Sequence, residues 1–342
     1  MIKLVSSQSS VRYFSGFTGS VGILVIRDKT KTLIVDGRYT EQAKEEVIKG
    51  IKVIEAPLGT GIWDEAIKLL KNKKTSGIGY EEDAVDIATI KKLKAKLPGL
   101  EFYSISREIR DKRVIKDKKE VDLLSKAALI ADLTYDCILH IIRPGMTELE
   151  ISAHIDYLMK TFKAEAPAFE TLVSSGGLSS HPHGKPTEKA VQKGDLIVLD
   201  FGARYKGYNS DITRMVSLGK PSKKHMCIYN AVAKAQEAAI EKVKDSVSAD
   251  AVDRAARDVL NKEKLGKYFT HSTGHGIGLQ VHEAPRVSAQ SKDVLREGMV
   301  MTVEPGVYIP GFGGFRIEDM VLVTRSGCVI LTKSPKDLKV IA

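Results

Sequence analysis

Residues 194–219 read GDLIVLDFGARYKGYNSDITRMVSLG, and the fold of the larger part of the chain turns on this stretch. Leu196–Phe201 and Ser210–Val216 have the apolar, β-branched character of strands, and ARYKGYN between them carries turn residues. A hairpin folded about Tyr205-Lys206 sets Asp200 directly opposite Asp211, since both lie the same distance from that turn. Directly opposed residues of an antiparallel pair have Cβ atoms about 4.5–5.5 Å apart. Two carboxylates that close repel each other unless positive charge lies between them. Their apolar neighbours imply partial burial, so the pairing points to a bound cation.

Further along, MVMTVEPGVYIPGFGGFRIEDMVLV at 299–323 repeats the pattern. Glu304 and Glu318 are equidistant from the glycine-rich GFGG turn and again oppose each other on apolar strands. One such pair reads equally well as surface acids on amphipathic strands. Two pairs, each symmetric about its own turn, favour a metal cluster. Between the hairpins, HSTGHGIGLQVHEAP at 271–285 brings together His271, His275 and His282, and the glycines around His275 allow close backbone approach. This is not the helical HExxH zinc motif, because Pro285 and Arg286 follow where its second histidine should stand. His140, His154 and His225, on or beside predicted helices, take the ordinary reading of core or surface residues.

Four carboxylates and one imidazole form an oxygen-rich, hard ligand set. That composition suits manganese, admits cobalt, iron or zinc, and disfavours a thiolate zinc centre. Two divalent ions about 3.5–4 Å apart can share bridging carboxylates and activate water at neutral pH.

The rest of the composition narrows the class. With 342 residues, 43% hydrophobic and 28% charged, the chain has the make-up of a globular protein of two domains. No apolar run approaches the roughly 18 residues of a membrane span, and MIKLVSSQ is too short and polar for a secretory signal. Cys137, Cys227 and Cys328 lie far apart without CxxC spacing, which fits a reducing cytoplasm. The net charge of +10 comes from lysines dispersed among acids, as in DKTKT, KNKKT, KKLKAK and KDKKE. Without an aromatic-interleaved basic block it reads as a solvated surface, so neither nucleic acid nor membrane is expected as a partner.

The first third alternates strands and amphipathic helices. Val21–Ile26 and Thr32–Val35 pair around RDKTK, and a helix follows near Thr40–Ile48. Next come a strand at Ile51–Ala56, a helix at Trp63–Lys71, a strand at Ser76–Tyr80, a helix at Asp86–Leu97 and a strand at Glu101–Ile105. This α/β pattern ends near residue 110, giving domains 1–110 and 111–342. Arg107–Lys119 reads as a linker into a long helix opened by the capping box Asp117/Glu120, and Thr147/Glu150 opens the next helix. From residue 168 the chain turns β-rich, with helices at Lys223–Val243 and Ala249–Asn261.

These motifs resemble the proline-specific metallopeptidases of the pita-bread fold, aminopeptidase P and prolidase. The matching segments are VLDFGARYKGYNSDITR (198–214), HSTGHGIGLQVHEAP, MTVEPGVYIP (301–310) and FRIED (315–319), with PHG at Pro182–Gly184. VRYFSGFTGS (11–20) and VDGRYTEQA (35–43) resemble the creatinase-type N-terminal domain. The resemblance implies an α+β chain with a pita-bread catalytic domain behind a smaller creatinase-type α/β domain. It also implies that Asp200 chelates one metal, that His275 and Glu304 bind the other, and that Asp211 and Glu318 bridge them. Glu304 would carry a proton to the proline nitrogen, and His183 and His282 would contact the substrate. His271, Tyr308 and Arg316 are further substrate-contact candidates, with Arg316 equally read as a counter-charge to the carboxylates.

The implied reaction is hydrolysis of the bond between an N-terminal residue and proline, of the Xaa-Pro aminopeptidase type. Xaa-Pro dipeptidase (prolidase) is the alternative within the class, and a non-catalytic pita-bread peptide or protein binder is the alternative outside it. The implied partner is a peptide or dipeptide with proline second, and relatives suggest a homodimer. Members usually begin with a helix before the first strand. Here the sequence opens at about that strand, IKLVSS, so either the start is truncated or this member lacks the helix.

Overall fold

The computed structural model describes residues 2–71, 75 and 77–341. By internal contacts they divide into two compact units between Arg113 and Val114. The first unit contains β1 (Ile2–Val5), α1 (Gln8–Ser15), β2 (Ile23–Arg27), β3 (Thr30–Asp36), α2 (Thr40–Glu46) and β4 (Ile51–Ala56). It continues with α3 (Ile62–Lys71), β5 (Gly77–Tyr80), α4 (Ile87–Lys96), β6 (Glu101–Ser104) and α5 (Ser106–Arg113). Its strands form one sheet in the order β4-β3-β2-β1-β5-β6, with β1–β2 and β2–β3 antiparallel and the other pairs parallel. The α3 residues Ala66, Ile67 and Leu70 bury one face of this sheet together with Ile23, Ile34 and Ile78.

Two helices here differ from the sequence expectation. No helix is expected at Gln8–Ser15, yet α1 forms because Ser7 caps its start and Gly16 (φ +82°) closes its end. Part of the stretch read as a linker, Arg107–Lys119, is instead helix α5, which buries Ile109 and Arg113. Its low content of apolar residues hides it from a periodicity reading. Ser76, the expected start of β5, lies outside the described residues.

The second unit opens with α6 (Lys118–Ile138) and α7 (Glu148–Thr161), and both expected capping boxes are formed. There follow β7 (Ala166–Pro167), β8 (Leu172–Ser175), β9 (Leu196–Phe201), β10 (Ala203–Tyr205), β11 (Tyr208–Asn209) and β12 (Ile212–Leu218). After α8 (Lys223–Lys242) and α9 (Ala249–Lys262) come β13 (Gly274–Gly276), β14 (Glu283–Val287) and β15 (Val300–Val303). The hairpin strands β16 (Gly306–Ile309) and β17 (Gly313–Arg316) precede β18 (Asp319–Val323), β19 (Cys328–Ile330) and β20 (Lys339–Ile341). A four-stranded sheet runs β20-β12-β9-β8, and a five-stranded sheet runs β14-β13-β15-β18-β19.

Strand alternation divides the core. Ile197, Leu199 and Phe201 of β9 pack with Ile212 and Val216 under α6 and α7. Leu196 and Val198, on the other face, join Met215, Met301, Val303 and Val321 with α8 and α9. By the same period of two, Asp200 and Asp211 face this second side. No described helix is long and apolar enough to cross a membrane.

Candidate metal centre

The first carboxylate hairpin closes one residue later than the sequence reading places it. Tyr205 pairs with Tyr208, and both central residues, Lys206 (φ +46°) and Gly207 (φ +80°), are left-handed, as a two-residue hairpin turn requires. Thr213, not Asp211, is therefore the residue opposite Asp200. Asp211 lies diagonally across on the same face, so the expected direct opposition is corrected to a diagonal one.

The second hairpin keeps its expected register. Val303 pairs with Asp319 and Gly306 with Arg316, which leaves Glu304 across from Glu318. At these two residues the ladder opens, and their backbone N–H groups are used elsewhere. Glu304 N–H donates to the Thr273 carbonyl at 2.7 Å, and Glu318 N–H to the Thr213 carbonyl at 3.2 Å. One glutamate is thus tied to the strand leading into His275, the other to the strand following Asp211. The glycines beside His275 permit this crowding. A Cβ at Gly274 would fall 2.0 Å from the Thr302 carbonyl oxygen, and one at Gly276 would fall 1.9 Å from that of Ala284.

The side chains converge. His275 Nε2 lies 3.6 Å from Asp211 Oδ2 and 3.5 Å from Glu304 Oε1. Ligand atoms of Asp211, His275 and Glu318 all fall within 4.8 Å of one another. Thr213 Oγ1 donates to Glu318 Oε2 at 2.8 Å, while Glu318 Oε1 is buried with no hydrogen-bond partner among the described residues. Burial, reinforced by the neighbouring carboxylates, pushes Asp211 and Glu318 well above the ordinary carboxylate range. Burial raises Glu304 to about 7, with Arg316 pulling it back.

Arg316 is the cation that faces this cluster. It is 4% exposed and donates to Asp200, to Thr213 Oγ1 at 3.0 Å, to Tyr308 Oη at 2.5 Å and to the Pro182 carbonyl at 3.1 Å. With its donors so occupied, Arg316 sits as a counter-charge. Tyr308 is buried beside it and is absent from the cavity lining. His271 Nδ1 is 2.7 Å from the Ser272 carbonyl and its Nε2 is 3.0 Å from the Tyr308 hydroxyl. The consistent protonation has Arg316 donating to Tyr308, Tyr308 to His271 Nε2, and His271 Nδ1–H to the carbonyl.

A cavity of about 610 Å³ opens onto these groups. It is lined by Asp200, Asp211, His275, Glu304 and Glu318, by His183, His271, His282 and Arg316, and by Phe169, Glu170, Lys185 and Arg286 among others. The His282 ring lies 4.2 Å from that of His275, centroid to centroid. Burial lowers its pKa, the nearby His183 adding to the effect. The segment carrying His183 is pinned by Glu148, a residue the sequence reading overlooked. Its carboxylate accepts from Ser175 N–H and Oγ at 2.7 Å each, and from Thr187 Oγ1 at 2.7 Å. Thr213 was likewise not singled out, although its place opposite Asp200 follows once the turn is set correctly.

The residues fit a bound cation. His275 Nδ1 is 3.1 Å from the Gly276 carbonyl, so the neutral ring donates there and turns its Nε2 lone pair toward two carboxylate oxygens. Burial holds that ring neutral, its pKa lowered to about 4. A lone pair facing carboxylates is repulsive until a positive ion stands between them. The partnerless Glu318 Oε1 is a second group that such an ion would satisfy.

The comparisons with known proteins agree with this chemistry. The family model for metallopeptidase family M24 matches residues 122–325, and that for the creatinase/prolidase N-terminal domain matches residues 3–115. An Xaa-Pro dipeptidase of Pyrococcus horikoshii is 41% identical over 98% of this chain and 93% of that protein. The structure of an Xaa-Pro dipeptidase from Bacillus anthracis is 40% identical, with a TM-score of 0.95 over 99% of this chain and 94% of that one. That of an X-Pro aminopeptidase from Thermotoga maritima is 39% identical, with a TM-score of 0.92 over 99% and 97%. The chain therefore belongs to metallopeptidase family M24, among the proline-specific pita-bread enzymes that carry a creatinase/prolidase N-terminal domain.

Proposed function

We propose that this protein is a metal-dependent Xaa-Pro dipeptidase that holds two divalent ions on Asp200, Asp211, His275, Glu304 and Glu318. The single observation that carries the metal reading is the neutral His275 ring aimed at Asp211 and Glu304 beside the partnerless Glu318 oxygen. Manganese or cobalt best suits so oxygen-rich a set, with zinc or iron also admitted. When bound, such ions supply Lewis-acid polarisation of the scissile carbonyl and an activated water at neutral pH.

The chain's own groups do the rest. The nitrogen of an Xaa-Pro bond carries no hydrogen to donate, and like any amide nitrogen it must receive a proton as it leaves. The Glu304 carboxyl, facing the cavity, delivers it. His183 and His282 line the same cavity and orient the peptide. His271 stands at the wall, held by Tyr308 and the Ser272 carbonyl, while Arg316 balances Asp200.

For the aminopeptidase-type reading favoured by the sequence, support is weaker than for the dipeptidase. Relatives named Xaa-Pro dipeptidase match nearly the whole chain at 41% identity. The cavity lining also includes Arg286, a cation suited to the free carboxylate of a dipeptide, and Lys185, which pairs with Glu170 at 2.7 Å. The test compares Gly-Pro with Gly-Pro-amide and Gly-Pro-Gly, using metal-stripped protein reloaded with manganese. A dipeptidase prefers Gly-Pro by about tenfold or more in kcat/KM, the worth of one charge-assisted contact. Equal or better turnover of the longer peptide would establish the aminopeptidase type instead. Three unpaired cysteines support a cytoplasmic setting, and a homodimer is the proposed assembly, checked by light scattering.

A further inference from the structure

Asp211 and Glu318 immediately precede strands of different sheets, since β12 lies in the four-stranded and β18 in the five-stranded one. Among the described residues no strand ladder joins β12 to β18, so regular pairing does not fix how these two carboxylates stand relative to each other. Arg214 joins them, alongside the bonds from Glu318 N–H to the Thr213 carbonyl and from Thr213 Oγ1 to Glu318 Oε2.

Arg214 is 1% exposed and spends all five N–H donors on protein groups. Nη1 donates to the carbonyls of Thr213, at 3.0 Å, and Glu318. Nη2 donates to Asp319 Oδ1 at 2.6 Å and to the Ser334 carbonyl at 2.9 Å, and Nε donates to that same carbonyl at 3.3 Å. Asp319, also 1% exposed, accepts further from Gln236 Nε2 and Thr332 Oγ1, each at 2.8 Å, and lies 3.1 Å from Lys336 Nζ. Strand alternation places Arg214 on the face of β12 away from Thr213 and Asp211. The ion pair thus stands behind the carboxylates and holds the backbone of Glu318 at its carbonyl, the Thr213 backbone holding it at its N–H.

An ion pair buried this completely is seldom more stabilising than well-packed apolar residues of the same size. Stability alone therefore does not account for it, whereas fixing one peptide to a neighbouring strand does. We infer that Arg214 and Asp319 are positioning residues that set Glu318 against Asp211 and so decide whether the centre holds two ions or one. The inference rests on the proposed reading of Asp211 and Glu318 as ligands shared by both ions. Neither Arg214 nor Asp319 lines the cavity, so they act through the residues they hold, Glu318 and Thr213.

The test titrates cobalt(II) into the metal-stripped full-length protein, following the binding isotherm and the visible absorption of the ion. Asp319→Asn keeps the side-chain shape, and Arg214→Lys keeps a positive charge. Should Arg214→Lys fail to fold, Asp319→Asn carries the test alone. In both, the first cobalt still binds and is weakened less than the second, because it keeps its unshared ligands. The second weakens by about 10–100-fold, the usual effect of removing an outer-sphere support, and the two-ion spectrum is lost. Folded variants with the unaltered isotherm and spectrum, even at a lower Tm, would overturn the inference. Failure of the ligand reading looks different: the unaltered chain would not take two cobalt ions, or Asp211→Asn and Glu318→Gln would leave two-ion binding intact.

Discussion

His275 presents Nε2 to Glu304 Oε1 at 3.5 Å while its other ring nitrogen is turned back on the Gly276 carbonyl. The ring is thereby committed to one tautomer before any ion arrives. Stripping the metal with a chelator is expected to abolish Xaa-Pro hydrolysis and to lower Tm, with manganese restoring both. At an ion concentration one hundred times Kd the stabilisation is about 2.7 kcal/mol. Activity that survives complete stripping would refute the metal reading, and an unmoved Tm would place the ions elsewhere.

Arg316 balances Asp200 within the cluster, so its loss acts mainly where no ion compensates. Arg316→Met should destabilise the stripped protein by about 3–5 kcal/mol, the cost of leaving a buried charge unpaired. The deficit should shrink on manganese loading. Denaturant titrations of both proteins, stripped and loaded, measure the difference directly. An equal deficit in the two states would contradict the counter-charge role.

His282 touches the His275 ring without a polar bond to it. His282→Ala is expected to lower kcat by about 10²–10⁴-fold, the range for losing a positioned catalytic side chain. Both ions should stay bound, as metal analysis of the purified variant would reveal.

Lys116 and Glu283 form a pair at 2.7 Å with side chains only 1% and 10% exposed, and Glu283 directly follows His282. Lys116→Met alone should cost about 3–5 kcal/mol, whereas Lys116→Met with Glu283→Leu should recover most of it. A double-mutant cycle from urea denaturation reads the coupling. Additive losses would mean that the two groups do not interact.

His271 gives the stability of the stripped protein a pH dependence of known sign. Burial first, then the Arg316 charge, lowers its pKa from 6.5 to about 4. Between those values the unfolded chain binds a proton that the folded one does not, so stability rises with pH across this window. Its contribution is complete above the unfolded value of about 6.5 and is lost as pH falls toward 4, on the order of 3 kcal/mol in all. His271→Gln should flatten that slope, and identical slopes for the two proteins would contradict the burial argument.

Much of this was legible beforehand because the chemistry sits on short-range patterns. Asp117 with Glu120 and Thr147 with Glu150 mark helix starts through local hydrogen bonds, and both boxes form. The Glu304–Glu318 register follows from one turn whose glycines leave little choice. The Asp200–Asp211 register was misplaced because turn type depends on left-handed φ at Lys206-Gly207, and lysine does not advertise it. Helix α5 was hidden by its charge. Glu148, Arg214 and Asp319 were invisible for another reason. Their meaning lies in partners up to 120 residues away, such as Ser334 for Arg214, and no local period encodes that.

The opening of the ladder at Glu304 and Glu318 bears on which length changes the gene could tolerate. Surface loops usually accept insertions readily, but the Pro310–Gly313 turn is the ruler that sets one glutamate across from the other. One added residue there would shift the pairing by one and swing Glu318 to the opposite side of the strand, carrying Ile317 into its place. An apolar side chain would then meet the cavity where a carboxylate belongs, and the Arg214 grip would close on the wrong peptide. This exposed turn should thus be as intolerant of insertion as the buried residues it aligns.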